Sequence, residues 1–114
     1  MRVALTGASG FLGGAIARSL AGRGDAVIRL GRPETSDERT AVAALSGADA
    51  LVHCAGVYEV GVPRARRPAL QEGNIGLTAR MLGAARTVGL AKVVYISTVA
   101  VFGDTHGSIA AYLA

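Results

Sequence analysis

The sequence predicts an α/β fold, a parallel sheet in doubly wound order with helices on both faces and about four strands. Three observations carry that expectation. Short apolar runs at Val3-Ala4-Leu5, Ala26 to Leu30, Ala50 to Cys54 and Lys92 to Ile96 are separated by stretches of helical period. Ala50-Leu51-Val52-His53-Cys54 is continuously apolar up to its histidine, as a parallel strand covered on both faces requires. Between the first run and the first helical stretch lies the glycine-rich turn Thr6-Gly7-Ala8-Ser9-Gly10-Phe11-Leu12-Gly13.

The elements follow in order. Strand, glycine-rich turn and helix form the front of a dinucleotide-binding βαβ unit, spaced here as GxxGxxG through Gly7, Gly10 and Gly13. The glycines allow a tight turn, close approach of backbone to a pyrophosphate, and close packing of helix on strand. The unpaired N–H groups of the helix start then face the phosphates, and Ser9 adds a hydroxyl donor. The competing reading is a tight strand–helix turn with no ligand. The helix runs from Phe11 to Ala21, with Leu12, Ile16 and Leu20 as its apolar positions.

Gly22-Arg23-Gly24-Asp25 turns the chain back into the second strand, Ala26 to Leu30, which Gly31-Arg32-Pro33 ends. An acidic residue at that point would hold the ribose 2′-OH of NAD. Positions 29 to 33 carry no Asp or Glu, and they carry two arginines. Arg32, with Arg29 second, is suited to the 2′-phosphate of NADP through charge-assisted bonds; the alternative is a solvated loop arginine. Glu34 to Asp37 reads as a polar loop, and Ser36 or Asp37 caps a helix running to about Leu45. The third strand, Ala50 to Cys54, closes on Ala55-Gly56. His53 is expected as a packed strand-end histidine rather than a base or ligand, and Cys54 as a small buried apolar residue.

Val57 to Ala69 lacks a period and reads as a surface loop, with Pro63 and Pro68 bracketing Arg64-Ala65-Arg66-Arg67. That cluster is either a solvated surface or an attractor of substrate or phosphate. A long helix follows from about Leu70 to Val88, ended by Gly89. The last strand, Lys92 to Ile96, leads into Ser97-Thr98. The expected strand order is second, first, third, fourth, with a ligand crevice at the carboxyl ends.

The chain of 114 residues reads as one domain, and 51% hydrophobic against 18% charged residues argues for an ordered, buried interior. The formal charge of +4 rests almost wholly on arginine, Lys92 being the single lysine. With 4% aromatics and mostly scattered arginines, nucleic acid is not the expected partner. No apolar stretch reaches membrane-spanning length, Met1-Arg2-Val3 leads directly into the first strand, and the lone Cys54 excludes an internal disulfide. The expectation is a cytoplasmic protein with a small-molecule substrate and no membrane partner.

Several motifs in order resemble the extended short-chain dehydrogenase/reductase family of NAD(P)-dependent epimerases, dehydratases and dihydroflavonol-type reductases. Thr6 to Gly13 looks like its TGxxGxxG turn, and Asp49 to Gly56 like its D-x-hydrophobic-x-H-x-A-[AG] strand. Asn74 falls where the family keeps an asparagine. Val94-Tyr95-Ile96-Ser97-Thr98-Val99-Ala100-Val101-Phe102-Gly103 is similar to its V-Y-hydrophobic-S-S/T-x-x-V-Y-G segment.

The resemblance implies a Rossmann-type domain that binds NADP, with NAD as the alternative. Gly7, Ser9, Gly10, Phe11, Leu12, Gly13, Arg32, Ala55, Gly56, Asn74 and Ser97 would lie around the cofactor, and Thr98 would be the catalytic hydroxyl. It also implies an NAD(P)-dependent oxidoreductase or a sugar-nucleotide-type epimerase/dehydratase acting on a carbonyl or hydroxyl substrate. Two departures stand out. No third strand ending in Gly-Asp separates Arg32 from Asp49, and no Tyr-x-x-x-Lys occurs, Tyr58, Tyr95 and Tyr112 all being misplaced. The chain is therefore expected to be an incomplete portion of such an enzyme, inactive by itself. The alternative is a non-enzymatic NADP-binding or sensing module. In the expected strand order Lys92 to Ile96 is an exposed sheet edge through which the chain self-associates or forms a homodimer.

Overall fold

The computed structural model describes residues 1–58, 61–98 and 106. Val99 to Gly103 of the last motif, and Tyr112, lie outside the described residues. Strands β1 (Arg2–Thr6), β2 (Ala26–Leu30), β3 (Ala50–His53) and β4 (Lys92–Tyr95) form one sheet in the order β2-β1-β3-β4. Every pairing is parallel, with Ala4 opposite Ile28 and Leu51, and His53 opposite Tyr95. This is the predicted order. At the sheet's lower end Asp49 extends the pairing: its carboxylate accepts the Arg2 N–H at 2.6 Å, and its own N–H donates to the Arg2 carbonyl at 2.7 Å.

Because successive strand residues point to opposite faces, the sheet divides its apolar side chains between two cores. Ala4, Leu30 and Leu51 face one side, where α3 (Glu38–Leu45) contributes Ala41 and Leu45, and α5 (Leu77–Val88) contributes Met81, Ala84 and Ala85. On the other side Leu5 and Ala8 meet Ala17 of α1 (Phe11–Gly22), flanked by Ile16, Val27 and Val52. Leu5, Leu45, Leu51 and Met81 are fully buried, each contributing roughly 1.5–3 kcal/mol of transfer free energy.

The structure corrects several local expectations. The buried stripe of α1 is Gly13 and Ala17, and Leu12 is half-exposed; small residues let the helix lie close on the strands, and Leu12 is left at the crevice. Where a polar loop was expected, a one-turn helix, α2 (Arg32–Thr35), follows β2 directly. Glu34 reaches back to the Gly31 N–H at 2.8 Å, and Pro33 presets the first turn. The Ser36-or-Asp37 cap resolves to Asp37, whose carboxylate accepts from the Thr40 N–H at 2.8 Å. No strand intervenes between α2 and β3 among the described residues, so the departure from the family pattern seen in sequence is a feature of the fold.

The expected loop before α5 is structured in its second half. A 3-10 turn over Arg64–Arg66 leads into α4 (Arg67–Gln71), which joins α5 through a π-helical turn at Glu72–Gly76. The helix thus begins three residues before Leu70, with Pro68 in its first turn, where a missing N–H is tolerated. Gly89 closes α5 in the left-handed conformation at φ 79°. Strand β4 is exposed along its length, and among the described residues it pairs with β3 only.

Candidate functional site

The carboxyl ends of β1, β2 and β3 open into a crevice of about 1110 Å³. Its floor is the turn from Thr6 to Gly13. Gly7 sits at φ 73°, and a Cβ there would stand 2.8 Å from the Ala55 nitrogen. A Cβ on Gly13 would stand 1.9 Å from the Gly7 carbonyl oxygen. Turn, helix start and β3 exit are therefore in backbone contact, which only glycine at these two positions permits. The Gly10 N–H donates to the Gly7 carbonyl at 3.0 Å and shapes the turn.

The start of α1 is chemically different from those of α2 and α3. Glu34 and Asp37 cap the latter two, whereas Gly10 offers α1 no side-chain cap. The first-turn N–H groups of α1 thus lie at the crevice floor without a capping side chain, and together with the helix dipole they favour an anion.

Of the residues singled out in sequence, Gly7, Ser9, Gly10, Phe11, Leu12, Gly13, Arg32, Ala55 and Gly56 line this one crevice. Phe11 projects almost wholly into solvent at 98% exposure. Asn74, Ser97 and Thr98 are not in the lining. The Asn74 amide is instead paired with the Val57 backbone: Oδ1 accepts from the N–H at 2.7 Å, and Nδ2 donates to the carbonyl at 2.8 Å. Asn74 thereby fixes the loop that leaves β3. Ser97 and Thr98 are exposed just beyond β4, where the Ile96 N–H still donates to the His53 carbonyl at 3.0 Å.

Among the described residues the crevice lining carries more basic than acidic side chains. Arg29 and Arg32 line one side, and Arg66 joins from the 3-10 turn. Among the described residues Glu72 is the one carboxylate in the lining, and it is paired with Arg80, which also donates to the Thr35 carbonyl at 3.0 Å. The Glu34 carboxylate, just past the end of β2, is held by the Gly31 N–H and is not among the lining residues. Sequence alone leaves the cluster around Arg66 open to a solvated loop or a ligand contact, with Pro63 before it and Pro68 after it as the signals of a defined turn.

Behind the floor lies a buried polar chain. His53 and Thr6 are fully buried. His53 Nδ1 is 2.7 Å from Thr6 Oγ1, Nε2 is 2.9 Å from Thr78 Oγ1, and the ring stacks on Tyr95 at 5.7 Å between centroids. Burial holds the imidazole below its ordinary 6.5. This is the packed histidine that the sequence led one to expect. Cys54 is half-buried, borders the crevice, and burial raises its thiol above the usual range. Among the described residues no group of three His, Cys, Asp or Glu side chains is placed to hold a metal ion, and no helix is long and apolar enough to cross a membrane.

Comparison with known proteins agrees with this geometry. The NAD dependent epimerase/dehydratase family matches residues 3–113. Uncharacterized proteins of Mycobacterium tuberculosis and Mycobacterium bovis are each 34% identical over 112 residues, which cover 86% of this chain and 12% of theirs. The structure of MoeE5 in complex with UDP-glucose and NAD superposes with a TM-score of 0.83 at 25% identity, covering 96% of this chain and 40% of that one. UDP-N-acetylglucosamine 4-epimerase from Bacillus cereus, at 24% identity and a TM-score of 0.78 over 94% of this chain and 43% of that one, shares the fold. The chain thus spans about an eighth of the length of the curated relatives it matches.

Proposed function

Because the chain belongs to the NAD-dependent epimerase/dehydratase family, we propose that it is the dinucleotide-binding portion of an NAD(P)-dependent oxidoreductase or sugar-nucleotide-type epimerase/dehydratase. The observation that carries this reading is the crevice floor. Gly7, Gly13 and Ala55 pack backbone against backbone, so that added Cβ atoms at the two glycines would clash, and this lets the uncapped start of α1 lie directly on the crevice floor. When bound, the nicotinamide cofactor supplies hydride transfer at a carbonyl or hydroxyl carbon.

The chain's own residues bind and orient. First-turn N–H groups of α1 and the Ser9 hydroxyl receive pyrophosphate oxygens. Ala55 and Gly56 present backbone close to the cofactor, and Asn74 holds the loop behind them through Val57. Thr98, with Ser97 beside it, hydrogen-bonds the substrate oxygen. A nucleotide sugar is the substrate class, on the strength of the MoeE5 complex with UDP-glucose.

We assign NADP as the preferred cofactor, although MoeE5 holds NAD. Arg29 and Arg32 line the crevice where a ribose-binding carboxylate would stand, and the Glu34 carboxylate is engaged elsewhere. Two arginines supply charge-assisted donors to a 2′-phosphate. Calorimetric titration of the chain with NADP⁺ and with NAD⁺ tests both levels. Tighter binding of NADP⁺ is expected, equal affinities would overturn the cofactor assignment, and binding of neither would overturn the functional reading.

A further inference from the structure

We infer that His53 is a positioning residue for the dinucleotide crevice, held as the Nε2–H tautomer, which directs the Thr6 hydroxyl proton and so locks the Cys54–Ala55 backbone beneath the ligand. The link to the ligand rests on the proposed dinucleotide reading; the tautomer does not.

Donors and acceptors around the Thr6 hydroxyl fix the tautomer. A threonine hydroxyl has one proton and two lone pairs. Thr6 Oγ1 has three neighbours within hydrogen-bond reach: the Cys54 N–H and the Ala55 N–H, each donating at 3.0 Å, and His53 Nδ1 at 2.7 Å. The two amides can only donate, so both lone pairs are taken. The hydroxyl proton is left for Nδ1, which must accept. In a neutral imidazole the other nitrogen then carries the hydrogen, and Nε2 donates to Thr78 Oγ1 at 2.9 Å. No buried side-chain polar atom among the described residues is left unpaired in this arrangement.

The consequence reaches the site through the backbone. Cys54 and Ala55 are the first two residues after β3, and Ala55 is the residue whose nitrogen a Cβ on Gly7 would meet at 2.8 Å. Their N–H groups have turned away from the strand ladder to a single side-chain oxygen on β1. The position of the β3 exit relative to the glycine turn therefore depends on Thr6 holding two amides at once. Without an acceptor for its own proton this arrangement leaves a buried donor unpaired, and turning the hydroxyl toward another acceptor takes a lone pair away from one amide. A hydrogen on Nδ1 would face an oxygen with no free lone pair, and one of the two amides would have to be released. The ring is placed to serve this role by β3, by stacking on Tyr95 of β4 and by Thr78 of α5, so three elements of the fold set one hydroxyl.

The test uses the unmodified 114-residue chain first. Long-range ¹H–¹⁵N spectra of its two histidines, His53 and His106, should give His53 the Nε2–H signature, with slowed exchange of the Cys54 and Ala55 amides. An Nδ1–H signature, or fast exchange at both amides, would overturn the inference. NADP⁺ affinity of variants supplies the second arm. Thr6→Ser keeps the hydroxyl and His53→Asn keeps an acceptor facing it, and both should stay within about threefold of the parent. Thr6→Val and His53→Leu should bind at least about tenfold more weakly, because the first removes the acceptor of both amides and the second removes the acceptor of the Thr6 hydroxyl proton. Equal affinity of His53→Asn and His53→Leu would overturn the positioning role. If the parent itself binds no dinucleotide, the functional reading fails, while the spectra and amide exchange still decide the tautomer.

Discussion

Replacing Gly10 by valine separates ligand binding from folding, because Gly10 and Gly13 sit in one turn but meet different surroundings. A Cβ on Gly10 has one neighbour within contact range, the Gly7 carbonyl oxygen at 3.4 Å, and the residue is exposed in an extended conformation at φ −78°. The protein itself therefore accommodates a side chain there. The expected folding cost is about 1 kcal/mol, for a poor helix-capping residue in place of glycine. That is small against the roughly 5–15 kcal/mol that holds a domain of this kind together. The branched side chain would instead stand in the crevice, over the N–H groups that receive the pyrophosphate.

A Cβ on Gly13 would be 1.9 Å from the Gly7 oxygen and 2.6 Å from its carbonyl carbon, both backbone atoms that cannot swing aside. Even alanine there forces α1 away from β1, at a cost at or above the upper end of the roughly 1–3 kcal/mol typical of overpacking. Circular dichroism melts and NADP⁺ calorimetry on the two variants give the readout. Gly10→Val should melt within a few degrees of the parent and lose dinucleotide binding, and Gly13→Ala should lose much of its stability. Parent-like affinity in Gly10→Val, or parent-like melting in Gly13→Ala, would refute the account of the turn.

Arg32→Ala should remove most of the preference for NADP⁺ over NAD⁺, on the order of 1–3 kcal/mol for a lost charge-assisted contact, as read by paired titrations; an unchanged ratio would assign the 2′-phosphate elsewhere. His53 is held below 6.5 by burial, so below pH 6.5 the unfolded chain binds a proton that the folded chain does not. Its contribution is complete above that pH and is lost as pH falls toward the folded-state value, by at most about 1.4 kcal/mol per pH unit. Denaturant melts between pH 7.5 and 5 should show this slope, and His53→Asn should flatten it. Strand β4 exposes Val93, Val94 and Tyr95 by 38%, 44% and 52%, so the 114-residue chain should sediment as dimers or larger species, and Val94→Lys should shift it toward monomer. With no Tyr-x-x-x-Lys in the sequence, the same preparation should show no epimerase or reductase turnover; cofactor-dependent turnover by a monomer would contradict both expectations.

The sheet was legible because each strand is a separate apolar run bounded by glycine or polar residues, and parallel connection leaves few ways to order four such runs. The glycine turn was legible for the same reason: its strand and helix flank it in sequence. What escaped notice depends on side chains that act across the chain or on elements too short for a period. One turn of helix at Arg32–Thr35 has no apolar repeat, and its signal is the Gly31 and Glu34 cap. A π-helical turn at Glu72–Gly76 adds a residue that a period of 3.6 does not register. Asn74 falls where the family keeps an asparagine, and its pairing with Val57, seventeen residues away in sequence, has no local signal. Hydrophobicity points to Leu12, Ile16 and Leu20 as the interior of α1, whereas its buried residues are Gly13 and Ala17, where size decides. Arg66 enters the crevice only because the 3-10 turn after Pro63 brings it there.

The central claim is that a dinucleotide lies across the carboxyl ends of β1, β2 and β3. Amide NMR of the ¹⁵N-labelled chain titrated with NADP⁺ tests it most directly, since glycines mark both ends of the sheet. The account predicts large shifts at Gly7, Gly10, Gly13, Gly31, Ala55 and Gly56. Gly24, Gly47 and Gly89, which precede β2, β3 and β4 at the opposite end, should be unmoved. Shifts confined to those three, or no shifts at saturating NADP⁺, would contradict it.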